Sequence, residues 1–414
     1  MIRYSQRTPV VVSGLALALA LAGCDSGGTL SKDITDKLQA VLDQAAVNEQ
    51  APGLVMAVQI GDADPWFGVT GYQDEGKTIP MAADAQFRMG SITKNFVGMA
   101  ILEQVQEGKL SLDDTLEKWL PGVISNIDGN QITIHQLLNH TSGIESYTEE
   151  QEWIITMIQD PLHVWNAPTD LLAYTQELRA KSIAAGTVIA PGSKFAYSNT
   201  NFILLGMIAA KVDGASNNDW AQVVEKRFFQ RLAMTHTRIP PTGDVELGGS
   251  NNGYVNFYNF TQGECTVLDP PCQNADEKYT LQEMSNAWSA GAIISNAPDL
   301  LKWANAEVKG SLLTEEMRQK QQDFIDTCTT ELQVGLAMFR QTKYGLIGHR
   351  GEIFGFNATF QYLAEKDMTV VVMANRTALD NKHVGPVPED VVAALYPDIE
   401  PQPWVKPPQC SSSH

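Results

Sequence analysis

Basic residues are scarce in this chain. Lys and Arg number 29 against 48 Asp and Glu, a formal charge of −19. A surface of that sign repels phosphate backbones and anionic headgroups, which disfavours a nucleic-acid partner and electrostatic adsorption to a membrane. Long apolar runs are scarce as well. The run Val10 to Ala22 is too short to cross a bilayer, and no later stretch is long or apolar enough to do so. Cysteine is limited to five residues, and no Cys/His spacing resembles a zinc site. No internal repeat is visible, so a solenoid or repeat array is not expected.

The short apolar run has a meaning of its own. Arg3 and Arg7 precede it, and it ends in Leu21-Ala22-Gly23-Cys24. That ending resembles a bacterial lipoprotein cleavage box with Cys24 as the lipidated residue. Residues 1–23 are therefore read as a signal peptide and 24–32 as a flexible tether. The expected location is exported and membrane-anchored, facing the periplasm or cell exterior, with the lipid as the only membrane contact. Loss of Arg3 and Arg7 with the signal takes the charge from −19 to −21. The other four cysteines are Cys265, Cys272, Cys328 and Cys410. An even number in an exported chain suggests two disulfides, with three possible pairings. Cys265 and Cys272 bracket a turn-rich loop and are paired here, which leaves Cys328 with Cys410.

Over 414 residues, 43% are hydrophobic, ample for a substantial core. An amphipathic helix is expected from Leu30 to Gln50, then a hairpin of strands at 53–60 and 66–72. A helical region follows, with a broken helix from Trp153 to Ala180 and an apolar helix from Phe202 to Val212. The end reads as short antiparallel strands at 335–340, 344–349, 357–363 and 369–374. The class is α+β; the length suits one large domain or two smaller ones, and residues 401–414 form a Pro/Ser-rich tail.

The chain is organised around Phe87-Arg88-Met89-Gly90-Ser91-Ile92-Thr93-Lys94. The residues after it are apolar on more than one helical face, which reads as a buried helix ending before Gly108. Ser91 lies in its first turn, where free N–H groups favour developing negative charge. Lys94 is three residues on, on the same face. A desolvated lysine can take the serine proton, and a charged one can lower the pKa of a third group that does. No other serine here has a lysine at that spacing.

Ser-x-x-Lys is the nucleophile motif of the penicillin-recognising enzymes, which carry two further elements. Tyr-x-Asn or Ser-x-Asn on a loop is matched by Tyr197-Ser198-Asn199, which follows a Pro-Gly turn and precedes a buried helix. Tyr254-Val255-Asn256, Ser216-Asn217-Asn218 and Ser250-Asn251-Asn252 match it in irregular stretches. Lys/His-x-Gly on a strand is matched by His349-Arg350-Gly351, which closes one. Lys343-Tyr344-Gly345 only opens that strand, and His383-Val384-Gly385 lies beyond the last one. His140, between a helix end and Thr-Ser-Gly, is read as bracing a loop.

With these motifs in order, the chain resembles the serine β-lactamase-related family of class C β-lactamases, serine DD-carboxypeptidases and esterases. The resemblance extends over roughly residues 33–400. It implies a β-lactamase/DD-peptidase-like fold: an antiparallel sheet built from both ends of the chain, flanked by helices, with a mostly helical region inserted. It implies Ser91 as nucleophile and Tyr197 as proton acceptor, its pKa lowered by cations such as Lys94. Lys94 would hold the network and Asn199 would position substrate amides. Backbone N–H groups of Ser91 and Glu352 would form an oxyanion hole. No metal or cofactor is implied.

His349 in place of lysine resembles the DD-peptidase and peptidase branches. Arg350 replaces a hydroxyl residue that commonly contacts a substrate carboxylate. It is expected either to hold that carboxylate or to pair with Glu352 or Asp367. The expected activity is D-Ala-D-Ala carboxypeptidase or a related D-amino-acid peptidase, on a small peptide, ester or β-lactam. Carboxylesterase, class C-like β-lactamase and a non-hydrolytic cell-wall peptide binder are the alternatives.

Overall fold

The computed structural model describes residues 28–256, 275–328, 331–377 and 383–403. Residues 1–23, Cys24, Cys265, Cys272 and Cys410 lie outside them, and with them the expected anchor and both expected disulfides.

An eight-stranded antiparallel sheet forms the base. Its order is Trp66–Gly71, Gly53–Ile60, Met368–Ala374, Phe356–Leu363, Leu346–Ile353, Phe339–Gln341, Leu332–Val334, Ile325–Asp326. Gly53–Ile60 pairs with Met368–Ala374, so both ends of the chain join in one sheet, as expected. Side chains alternate across it. Leu54, Met56 and Val58 pack under Leu38 and Leu42 of helix Lys32–Glu49 and Val391 and Val392 of helix Val387–Leu395. Val55, Ala57, Val371 and Met373 join the larger core on the opposite face. Burial on both faces explains why Val370 to Met373 reads as an unbroken apolar run.

Helix Ile92–Gln106 runs through that larger core. Every residue from Ile92 to Gln104 is buried, and Phe96 stacks on Trp303 of helix Ala297–Val308 at 3.7 Å between centroids. Gly108 follows at φ +71, the left-handed stop expected of it. Gln104 Nε2 donates to Ala209 O of helix Asn199–Val212 at 2.9 Å, tying the inserted helical region to it.

Strand Leu346–Ile353 ends against the start of the Ser91 helix, and two glycines permit the contact. A Cβ on Gly351 would lie 1.9 Å from Met89 O, and one on Gly90 would lie 2.4 Å from Glu352 O. No side chain fits at either place.

The structure corrects one expected strand. Residues 335–340 are not one strand: Ala337 turns at φ +55, and its N–H donates to Leu138 O at 3.0 Å. Its carbonyl accepts from Asn95 Nδ2 at 3.0 Å, so this turn is pinned to the Ser91 helix. The broken helix expected from Trp153 to Ala180 is found as two, Gln151–Gln159 and Thr169–Ala185, with Pro161 and Pro168 between them. Among the described residues no helix is long and apolar enough to cross a membrane.

Candidate active site

Ser91 occupies the N-cap position of its helix, already with a helical φ of −62. Lys94 follows one turn later, with Nζ 2.9 Å from Ser91 Oγ and donating to Ala290 O at 2.7 Å. The lysine is fully buried and has no carboxylate partner among the described residues. Desolvation holds its pKa well below the usual lysine range. Nζ donates to Ala290 O and lies at hydrogen-bond distance from Ser91 Oγ, where the amine in its neutral form can take the serine proton.

Tyr197 reaches Ser91 from the opposite side, its hydroxyl donating to Oγ at 2.9 Å. The ring is 36% exposed to the cleft, but its hydroxyl end is enclosed. That enclosure raises the pKa to about 12, against smaller lowering contributions from Ser91 and Arg350. The expected lowering by Lys94 is therefore corrected: burial outweighs the lowering contributions, which come from Ser91 and Arg350. His140 braces the loop, as read from the sequence. Its ring stacks on Tyr197 at 4.3 Å, and its Nδ1 accepts from Ser198 N at 3.1 Å. Asn199 opens helix Asn199–Val212, and its Nδ2 donates to Thr148 Oγ1 at 2.9 Å and Ser146 Oγ at 3.3 Å. Its carbonyl oxygen is left as an acceptor for a substrate amide.

On the strand, His349 is 3% exposed. Its Nδ1 lies 2.6 Å from Arg350 O, so that nitrogen carries the proton. Burial pushes its pKa down to about 3, so it is a neutral group and not a cationic substitute for lysine. Arg350 is exposed and lines the cleft. Asp367, one of its two expected partners, instead pairs with Lys309 at 2.9 Å. Arg350 Nη1 lies 3.2 Å from His383 Nε2, while His383 Nδ1 accepts from Gly385 N at 3.0 Å.

His383-Val384-Gly385, passed over as a motif, therefore belongs to the site's wall. It reaches the site from a turn before the last helix, a return that no local pattern announces. The other decoys fall elsewhere. Lys343 pairs with Glu389 at 2.9 Å, and Tyr254 Oη accepts from Glu75 N at 2.8 Å.

The cleft has two lobes. A cavity of about 510 Å³ is bordered by Tyr197, Phe339, His349, Arg350 and His383. A second, of about 360 Å³, is bordered by Asn199, Tyr147 and Trp153. Ser91 and Glu352 border both. A carbonyl placed between the lobes would face the Ser91 and Glu352 backbone at the helix start, where N–H groups accommodate negative charge.

Antiparallel sheet, inserted helices and a buried Ser-x-x-Lys pair define a serine hydrolase of the β-lactamase fold. Residues 37–390 match the Beta-lactamase family model, and the chain belongs to that family. It is 25% identical over 313 residues to the protein flp of Staphylococcus aureus, covering 74% of this chain and 56% of that protein. The chain thus spans about half the length of that relative. A β-lactamase of Escherichia coli is 23% identical over 308 residues, covering 74% of this chain and 69% of that one. Among solved structures, a D-stereospecific amidohydrolase from Streptomyces superposes with a TM-score of 0.71 at 28% identity, over 87% of this chain and 98% of that one. A penicillin-binding protein from Bacillus halodurans shares the fold, with a TM-score of 0.65 at 24% identity over 86% and 98% of the two chains.

The protonation states have a kinetic consequence. If neutral Lys94 is the base, kcat/KM levels off above the lysine's depressed pKa and stays flat to about pH 10. A base that were the Tyr197 phenolate, with a pKa near 12, would make the rate climb about tenfold per pH unit between 8 and 10. A pH–rate profile on one amide substrate separates the two.

Proposed function

We propose that the protein is an exported hydrolase that cleaves D-amino-acid peptides through an acyl-enzyme on Ser91. The observation that carries this reading is the placement of Ser91 Oγ, 2.9 Å from both the Lys94 amine and the Tyr197 hydroxyl. Ser91 Oγ attacks the carbonyl carbon and its proton passes to Lys94. The oxyanion is held by the N–H groups of Ser91 and Glu352, each worth about 10²–10³ in rate. Tyr197 gives its proton to the departing amine and recovers one from the Lys94 ammonium, so both groups return to their starting states. Water, activated by the same amine, then hydrolyses the ester.

Two features support a carboxylate-bearing D-amino-acid peptide over a simple ester. Among the described residues Arg350 has no carboxylate partner; it stands in the larger lobe, available for a two-pronged contact with a C-terminal carboxylate. The named activity of the Streptomyces neighbour, a D-stereospecific amidohydrolase, is the source of the D-configuration. D-Ala-D-Ala carboxypeptidase activity is one member of this class.

Ser91→Ala is expected to lose about 10⁴-fold or more in turnover. Arg350→Ala should lower kcat/KM about 30- to 1000-fold on a carboxylate-ended peptide, as expected for truncating one partner of a desolvated charge pair. The loss on a neutral ester of the same acyl group should be at least tenfold smaller. Equal losses on both would contradict carboxylate recognition. The proposed lipid anchor is checked by fractionation: Cys24→Ala should move the protein from the membrane to the soluble fraction, and continued sedimentation would refute it.

A further inference from the structure

The two lobes differ in chemistry as well as size. Helix Gln151–Gln159 presents Trp153, Ile154 and Met157 to the smaller lobe, and Ile353 and Phe354 face it from the strand turn. This wall is held firmly. Trp153 meets Tyr147 edge-on at 5.7 Å, Phe354 meets Tyr279 edge-on at 5.4 Å, and the Tyr279 hydroxyl donates to Met157 O. Among the described residues Glu352, at the boundary with the other lobe, is the one charged residue bordering it. The larger lobe carries Arg350 and two imidazoles.

The proton path fixes which half of a substrate enters each lobe. The departing amine must lie within reach of Tyr197, which borders only the larger lobe. The acyl part stays on Ser91 and must occupy the other, where the Asn199 amide oxygen can accept its N–H. That lobe, at about 360 Å³, far exceeds the needs of an alanine methyl group. Leaving an apolar wall wet forfeits the gain from covering it.

Resting on the acyl-enzyme reading above, we infer that the acyl subsite selects a bulky, uncharged apolar side chain, packed on Trp153, Ile154 and Met157. The preferred substrate is then an aromatic or large aliphatic D-residue followed by a carboxylate-ended residue, and D-Ala-D-Ala is a poor one.

The test compares N-acetyl-D-Phe-D-Ala, N-acetyl-D-Ala-D-Ala and N-acetyl-D-Ala-D-Phe on the wild-type protein. The first should exceed the second about 10- to 100-fold in kcat/KM, the range for filling an apolar pocket. The third should gain much less. Ile154→Asp, which puts a charge on the wall, should lower the first-to-second ratio at least tenfold. Equal rates on the first two peptides would overturn the inference. So would a gain confined to the third, which would reverse the lobes, or a ratio unmoved in a folded Ile154→Asp. The wild-type series stands without the variant. Turnover of none of the peptides, or turnover that survives Ser91→Ala, would instead refute the acyl-enzyme reading itself.

Discussion

The site depends on a lysine amine buried without a counter-charge. Lys94 is enclosed by the Ala290 carbonyl, the Ser91 hydroxyl and the rings of Tyr197 and Phe202, whose centroids lie 5.3 and 6.0 Å from Nζ. Removing an ammonium from water without a paired carboxylate is costly, and the group responds by losing its proton. The remaining assignments follow. A neutral amine beside a protonated phenol supplies one acceptor and one donor to the same serine oxygen. His140 and His349 are also buried and held neutral. Among the described residues Arg350 is thus the cation bordering the larger lobe.

Such an arrangement needs a scaffold that keeps water out and the oxygen in place. The contact between Gly351 and the Met89–Ser91 backbone seats the strand on the helix start. Gly206 does the same for the inserted helices: a Cβ there would lie 2.4 Å from Ser289 Oγ. That approach carries the 288–290 turn, and with it the Ala290 carbonyl, against Lys94. Asn95, next to the lysine, ties the helix to Glu307, Trp303 and Ala337 through its side-chain amide. The nucleophile is therefore fixed from three directions by backbone close to its own helix.

Much of this was legible from residue order. The buried Ser91 helix, the hairpin at the start and the strands at the end follow from periodicity, and their antiparallel pairing from short connections. Ser91, Lys94, Tyr197 and His349 do converge, because each motif sits at the end of a regular element that fixes its direction. What depends on burial was not legible. The family resemblance implies Lys94 near Tyr197 but not how much water reaches either, so the rise in the tyrosine's pKa is visible only in the structure. His383 was set aside because it follows the last strand, although the chain there folds back on Arg350. Ala337 interrupts an apparent strand through tertiary contacts with Leu138 and Asn95, which override local preference.

The charge state of Lys94 is the central claim, and carbon-13 NMR of lysine-labelled protein measures it directly. The Lys94 Cε signal, identified by its disappearance in Lys94→Arg, should show the shift of a neutral amine at pH 8. Its titration midpoint should fall well below the ordinary lysine value of 10.5. An ammonium shift at pH 8, with a midpoint near 10.5, would contradict the account.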